Sequence, residues 1–245
     1  TSRVMLSIFG TQLLHDTGLG LFTAYFVSFT ILTASIIALT KSNLKARLAY
    51  STVSQLSYVL LGVAMLTPNG VTGGLIHISN HAFSKITLFF CAGCIFVASG
   101  KKDIKELGGL GYRMPFTMVA FALASLSMIG VPPVCGFVSK WYLLLGSMDL
   151  HNWILLTVLL ASSLLNAGYF APIIIQAFFG KPLPEDVGAT SNLEKNPLIM
   201  FMVVPLTITA IFSVIFGFYP DFFIKIVASA DAGFFGNIIK GIAGL

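Results

Sequence analysis

Uncharged apolar segments of membrane-spanning length recur along the chain, and they restrict its fold more than any other feature. Two of them are 19–39, LGLFTAYFVSFTILTASIIAL, and 153–179, WILLTVLLASSLLNAGYFAPIIIQAFF. An α-helix crosses the hydrocarbon core with about 20 apolar residues, and these segments lack the strict alternation of membrane β-strands. Charged residues make up 9% of the chain, mean hydropathy is +0.92, and soluble domains carry about 25% charged residues. The sequence therefore predicts an all-α, polytopic transmembrane helix bundle.

The apolar segments predict about six full spans after part of a first helix. Residues 1–14 are interpreted as the tail of a membrane helix, so we expect an N-terminally truncated fragment. The six predicted spans are 19–39, 48–66, 71–98, 115–147, 153–179 and 198–219. We expect one transmembrane domain over residues 1–219 and a C-terminal tail over 220–245.

The span 115–147 is too long for one straight crossing and short for two. Pro132 and Pro133 interrupt it, and Gly130 and Gly136 flank the interruption. Proline removes a backbone donor and clashes with the preceding helical turn. We predict one discontinuous helix, whose break leaves backbone carbonyls and helix ends at membrane depth.

Basic residues concentrate on one predicted side of the membrane. If 115–147 crosses once, that side carries Lys41, Lys45, Arg47, Lys101, Lys102, Lys105, Arg113, Lys181 and Lys195. The other side carries Lys225 and Lys240 in the tail. Positive residues favour the cytoplasmic side, so we expect a multi-pass protein of the cell inner (plasma) membrane. Two crossings would move Lys181 and Lys195 outside. The net charge of +5 is interpreted as topology, and no nucleic-acid partner is expected.

Four ionisable side chains remain at membrane depth, namely His77, His81, Lys85 and Lys140. The first three are spaced i, i+4, i+8 and share one helical face. A lysine inside hydrocarbon costs about 2.5–3.5 kcal/mol on insertion scales, so mere spanning does not explain Lys85. Because an apolar environment disfavours the charged form, such a lysine can release and rebind a proton. We therefore predict that these four residues form a proton relay.

Polar residues on two neighbouring spans are predicted to hold water beside the relay. Ser51 lies on one face of 48–66 with the predicted channel-lining residues Ser54, Gln55 and Tyr58. Asn166, also predicted to line the channel, shares a face of 153–179 with Tyr169 and Gln176.

Simpler interpretations of the bases stay open. Each histidine can serve as a helix–helix hydrogen bond, and Lys85 or Lys140 can extend to the interface. His77 and His81 have the spacing of a zinc pair, but no third ligand is evident at that depth. We expect no metal site.

The cysteines add no chemistry in this interpretation. Cys91-x-x-Cys94 is half of a redox or metal motif, and we expect it, like Cys135, to be buried and inert. The chain has no glycine-rich nucleotide loop after a strand and no iron–sulfur cysteine cluster. We therefore expect no cofactor.

Three stretches carry a family resemblance: LKARLAYSTVSQLSY, IHISNHAFSKITLFF and MIGVPPVCGFVSKWYLL. They resemble the antiporter-like membrane subunits shared by Mrp-type Na⁺/H⁺ antiporters and respiratory complex I. The match covers almost all of residues 1–220, with the motifs in the family's order. The segment GVPPVCGFVSKWYL is most similar to the Mrp antiporter D subunit.

The resemblance implies two inverted five-helix repeats, of which 19–179 is the second and 115–147 its discontinuous helix. His77, His81 and Lys85 match the family's central histidines and lysine. Lys140 matches the lysine on the broken helix that faces the exit half-channel, so protons are expected to pass from Lys85 to Lys140 across the break. The family's glutamate–lysine pair belongs to the first repeat, and we expect this chain to be half of a channel.

The resulting expectation is a proton- and monovalent-cation-translocating subunit of a multi-subunit cation/H⁺ antiporter, with other subunits, Na⁺ or K⁺, protons and the lipid bilayer as partners. We expect a transport subunit without a redox centre, not an enzyme. The alternative is the equivalent proton-pumping subunit of an NADH:quinone oxidoreductase or membrane-bound hydrogenase, an oxidoreductase only through its assembly. A third possibility is a non-translocating membrane scaffold.

Overall fold

The computed structural model describes residues 4–182 and 192–234, which are helical and contain no strand. A wide π-type helical turn at Val4–Phe9 comes first. The α-helices are α1 Thr11–Asp16, α2 Leu19–Thr40, α3 Leu44–Ala64, α4 Pro68–Ser99, α5 Leu110–Arg113, α6 Pro115–Ile129, α7 Cys135–Asp149, α8 Trp153–Phe179, α9 Pro197–Phe218 and α10 Asp221–Phe234. Short 3₁₀ turns occur at Ile104–Leu107 and Leu193–Lys195. The all-α prediction is confirmed.

Within the described ranges, α2, α4, α8 and α9 are long and apolar enough to cross a membrane. α3 is 21 residues long, but it carries a polar face and so is less apolar than those four. α6 and α7 have 15 residues each, too few to cross separately. Six crossings therefore require α6 and α7 to act as one.

Contacts along α4 show that α6 and α7 form a single crossing. Cys91 of α4 contacts Thr117, Ser84 contacts Ser127, Asn80 contacts Cys135 and His77 contacts Ser139. The partner numbers rise as the α4 numbers fall, so the pair runs antiparallel to α4 along its whole length. From Ser127 to Cys135 the chain uses eight residues where α4 uses four, from Ser84 to Asn80. The prediction of one discontinuous helix is confirmed.

Glycines let the break pack closely against its neighbours. A Cβ at Gly136 would overlap the Ser127 carbonyl oxygen, and one at Gly217 of α9 would overlap the Pro133 oxygen. No side chain fits at either position. Pro132 and Pro133 themselves lie on the outside of the described bundle, while Lys140 points inward. The prolines thus create the break without lining the interior.

Two predicted boundaries were wrong because of helix caps. Residues 44–47, which precede the predicted span 48–66, belong to α3, because the Asn43 side chain accepts from the Ala46 amide and starts the helix earlier. α4 starts at Pro68, three residues before the predicted span 71–98. Thr67 accepts from the Gly70 amide there, and Pro68 occupies the first helical position.

Residues 100–113 and 1–14 also differ from what the sequence predicts. Residues 100–113, between the predicted spans 71–98 and 115–147, contain two helical turns. In the first of them Glu106 accepts backbone N–H bonds from Asp103 and Lys102. These bonds lower the pKa of the Glu106 carboxyl. The predicted helix tail 1–14 is interrupted at Gly10, whose φ is 76°. After this interruption α1 continues to Asp16, two residues beyond the predicted tail.

The loops lie at the two ends of the helix bundle, where contacts join them. At one end Asn43 bridges Asp103, and Gln176 donates to the Lys105 carbonyl at 3.1 Å. At the other end, Asn69 donates to Asp149 at 2.8 Å. The predicted basic side thus coincides with one end of the bundle. Of the tail, Lys225 lies in α10, and Lys240 lies outside the described residues.

A buried polar layer separates two hydrophobic clusters. One cluster contains Leu48, Leu88 and Tyr169, and the other contains Leu61, Val71 and Leu159. On each of α3, α4 and α8 the buried polar residues fall between the two clusters in sequence. All four predicted bases belong to this layer.

Candidate functional site

The polar layer is the candidate site because its charged members are almost completely enclosed. Lys85 is 5% exposed and Lys140 is 6% exposed, and His77 and His81 are also buried. Among the described residues, none of the four forms an ion pair with a carboxylate. The burial of unpaired bases has to be offset by hydrogen bonds, and these bonds define the site.

Lys85 reaches from α4 to the first turns of α3. Its Nζ donates to the Leu48 carbonyl at 2.9 Å and to the Ser51 hydroxyl. The rings of Phe89 and Phe170 lie 5.9 Å from the ammonium. Lys85 is therefore held inside the bundle and does not extend to the membrane interface. Ser51 becomes its hydroxyl partner.

Lys140 occupies a cradle formed by the end of α6. Its Nζ donates to the Met128 carbonyl at 2.8 Å, the Ile129 carbonyl at 2.9 Å and the Ser163 hydroxyl at 3.3 Å. Met128 and Ile129 are the last residues of α6, whose carbonyls have no partner within the helix. They also form the negative end of the α6 dipole, which favours a cation. The break thus supplies the acceptors that an isolated ammonium needs.

Two amide side chains extend this cradle. Gln55 of α3 donates to the Met128 carbonyl at 3.3 Å. In the amide orientation that satisfies both its ends, Asn166 of α8 accepts from Lys140 Nζ at 2.9 Å and from Gln55 Nε2 at 2.7 Å. Lys140, Gln55 and Asn166 therefore join α3, α6, α7 and α8 in one hydrogen-bond network.

The two histidines precede Lys85 on α4, whereas Lys140 lies on the neighbouring helix α7. His77 Nδ1 shares a 2.9 Å hydrogen bond with Ser139 of α7. The His77 and His81 ring centroids are 6.1 Å apart, too far for a direct hydrogen bond. Tyr58 contacts both neighbours: its ring lies 5.4 Å from His77 and 5.2 Å from Lys140 Nζ. Tyr58 is thus the contact between the histidine face and Lys140.

Several buried polar atoms of this region have no protein partner in the described structure. They are Gln55 Oε1, Tyr58 Oη, His77 Nε2 and His81 Nε2. Buried polar atoms without protein partners are the groups that ordered water satisfies. Ordered water at these atoms would complete the hydrogen bonding of the two histidines, whose rings are too far apart for a direct bond.

Not all the predicted polar residues meet at the bases. Ser54 bonds Ser35 of α2 at 2.8 Å and joins a serine cluster with Ser162. Gln176, predicted to share the buried face, lies at the loop end of α8. Ser139 and Ser163 were missed because serine is common in membrane helices, and only the packing shows that they touch His77 and Lys140.

Metal ligands do not cluster in the described ranges: no group of three or more His, Cys, Asp or Glu side chains converges there. Cys91, Cys94 and Cys135 are free thiols and are buried. The polar layer thus presents bases, hydroxyls, amides and carbonyls, which suit proton movement.

Comparison with known proteins adds an independent line of evidence. A family model described as NADH:quinone oxidoreductase/Mrp antiporter, TM, matches residues 5–166. The N subunit of the NADH-quinone oxidoreductase of Desulforudis audaxviator is 39% identical over 199 residues, which is 78% of this chain and 39% of that protein. The D subunit of the Na⁺/H⁺ antiporter of Alkalihalophilus pseudofirmus is 32% identical over 70% of this chain and 35% of its own length.

The structural comparison agrees in fold. A chain in the structure of the Mrp complex from Dietzia sp. DQ12-45-1b superposes with a TM-score of 0.80 at 23% identity. The match covers 91% of this chain and 48% of the Mrp chain. This chain therefore spans less than half the length of each of these three relatives.

Proposed function

We propose a proton-moving role for this chain, which belongs to the NADH:quinone oxidoreductase/Mrp antiporter transmembrane family. In this proposal the chain moves protons through its buried polar layer as part of a multi-subunit membrane assembly. The observation that carries the proposal is the pair of enclosed lysines without carboxylate partners in the described structure. Lys85 is held by one backbone carbonyl and a serine hydroxyl, and Lys140 by two carbonyls and a serine hydroxyl. Helix packing alone does not require such costly groups.

In this proposal Lys85 and Lys140 each alternate between charged and neutral forms. Ser51 and Ser163 can donate or accept, so each can follow the change at its lysine. Water bound at His77, His81 and Gln55 carries the proton between them, and Tyr58 contacts both the histidine face and Lys140. The chain contributes proton transport, and any redox chemistry belongs to other subunits.

Two assemblies fit the relatives equally. In a cation/H⁺ antiporter, proton movement is coupled to Na⁺ or K⁺; in a quinone-linked complex, it is coupled to electron transfer. Inverted membrane vesicles that contain the native assembly separate them. A cation pulse drives proton movement in the first case, and an electron donor with quinone drives it in the second.

The test of the relay replaces Lys85 or Lys140 with Ala in the full-length protein within its assembly. The matched control is Lys105→Ala, in the loop at the end of the bundle. We expect each relay variant to lose proton movement, read from a pH-sensitive dye in vesicles, while the control retains it. Unchanged transport after both replacements together would support the scaffold alternative and remove the relay.

A further inference from the structure

Glu194 is a buried carboxylate that the proton relay does not use. It lies in the 3₁₀ turn before α9 and is 7% exposed. Its Oε1 accepts from the Thr117 amide at 2.7 Å and from the Thr117 hydroxyl at 2.7 Å, and its Oε2 accepts from the Phe116 amide at 3.2 Å. All three bonds go to the first turn of α6, 77 or 78 residues earlier in the chain.

The first turn of α6 lacks a cap of its own. Pro115 takes the first helical position, and the residue before it, Met114, has no side-chain acceptor. The amides of the second and third helical residues are the ones that a capping side chain normally satisfies. Glu194 fills this role from a different part of the chain, and its negative charge lies at the positive end of the α6 dipole.

The opposite end of α6 is the cradle of Lys140. α6 is an uninterrupted helix of 15 residues, so a shift at Thr117 moves Met128 and Ile129 along the same axis. The end of α6 near the break is held by Ser127, whose hydroxyl bonds Ser84 of α4 and the Gly136 amide of α7, and Glu194 holds the opposite end. We propose that Glu194 is a positioning residue that sets the axial position of α6 and, through it, the two carbonyls that hold Lys140.

This inference rests on the proposed function for its transport readout, but three native cysteines report on α6 directly. Cys91 and Cys94 of α4 contact Thr117 at the anchored end. Cys135 lies at the break, where its Sγ is 3.4 Å from Ser127 Oγ of α6. All three thiols are buried, so alkylation by N-ethylmaleimide measures opening at each end of the helix.

The experiment compares Glu194→Ala and Glu194→Gln in the full-length protein within its assembly. Lys195→Gln is the matched control, because Lys195 is the next residue in the chain and its side chain is exposed. In a second pair, Thr117→Val removes the hydroxyl that donates to Glu194, and Thr117→Ser keeps it. This pair replaces the first if Glu194→Ala does not reach the membrane. Alkylation is read by mass spectrometry for each cysteine, and proton movement is read in vesicles.

We expect Glu194→Ala, Glu194→Gln and Thr117→Val to raise alkylation about tenfold at Cys91, Cys94 and Cys135. The same three variants should slow proton movement about tenfold. Thr117→Ser and Lys195→Gln should match the wild type. If only Cys91 and Cys94 gain reactivity, Glu194 is a local cap and the positioning role is wrong. If the wild-type assembly moves no protons, the proposed function fails, and the Cys135 result alone decides whether Glu194 positions α6.

Discussion

At the scale of single residues, the site depends on how closely backbone approaches backbone. Lys140 finds two carbonyls within 2.9 Å because α7 starts directly beside the end of α6. Gly136 permits that approach, since its Cα faces the Ser127 carbonyl oxygen. One methyl group at this position would separate the two helix halves and weaken the Lys140 cradle.

We therefore predict that Gly136→Ala destabilises the protein by about 1–3 kcal/mol, the usual cost of overpacking. Gly93→Ala in α4 is the control, because the nearest atom to its added Cβ is Met202 Cε at 3.6 Å. Thermal unfolding of the purified protein in detergent measures the difference. Equal melting temperatures for the two variants would mean that the break tolerates a wider separation.

Residues of unusual chemistry were predictable from the sequence, and their partners were not. Lys85 and Lys140 stand out in any apolar span because their burial is costly. Ser139 and Glu194 look ordinary where they stand in the sequence, and they gain a role only through contacts 62 and 77 residues away. Such contacts depend on how the helices pack, which local pattern does not contain.

At the scale of elements, α3 shows how a polar helix is retained in the bundle. Its buried serines bond other helices as well as their own turns. Ser54 contacts Ser35 of α2 at 2.8 Å and donates to the Ile31 carbonyl at 3.2 Å, whereas Ser57 donates to Val53 within α3. The first kind of bond joins α3 to α2, and the second adds nothing between helices.

We predict that Ser54→Ala lowers the free energy of unfolding by about 0.6 kcal/mol, and by no more than about 1.7, as for hydrogen bonds between membrane helices. Ser57→Ala should change it by much less. Unfolding in mixed detergent micelles gives both values. If Ser57→Ala loses more unfolding free energy than Ser54→Ala, the bonds from Ser54 to α2 are not the stabilising ones, and the prediction is wrong.

Helix boundaries illustrate where sequence patterns stop being informative for elements. Pro132 and Pro133 predicted the break correctly because proline acts on its own backbone. The starts of α3 and α4 were misplaced because Asn43 and Thr67 cap them, and capping residues are equally common in turns.

At the scale of the whole molecule, the bundle has a polar middle and two different ends. The single crossing by α6 and α7 puts the loops after α2, α4 and α8 at the same end, where the basic residues collect. This arrangement follows the distribution expected for a cytoplasmic surface.

We predict that Lys102→Cys and Lys195→Cys react with a membrane-impermeant maleimide from the same side, and Asn69→Cys from the opposite side. The native cysteines are buried and give little background. Labelling of intact cells and inverted vesicles provides the comparison. Reaction of Lys195→Cys from the side of Asn69→Cys would mean that 115–149 crosses the membrane twice.

The surplus chain at the break has a consequence for how the protein meets its bilayer. Eight residues join Ser127 to Cys135 beside four residues of α4, and the extra four equal about 6 Å of helix. Bilayers differ in hydrophobic thickness by a few ångströms, which a continuous helix accommodates by tilting. This crossing can instead take up a thickness mismatch at its middle, by winding or unwinding a residue at the end of α6, while α4 keeps its tilt.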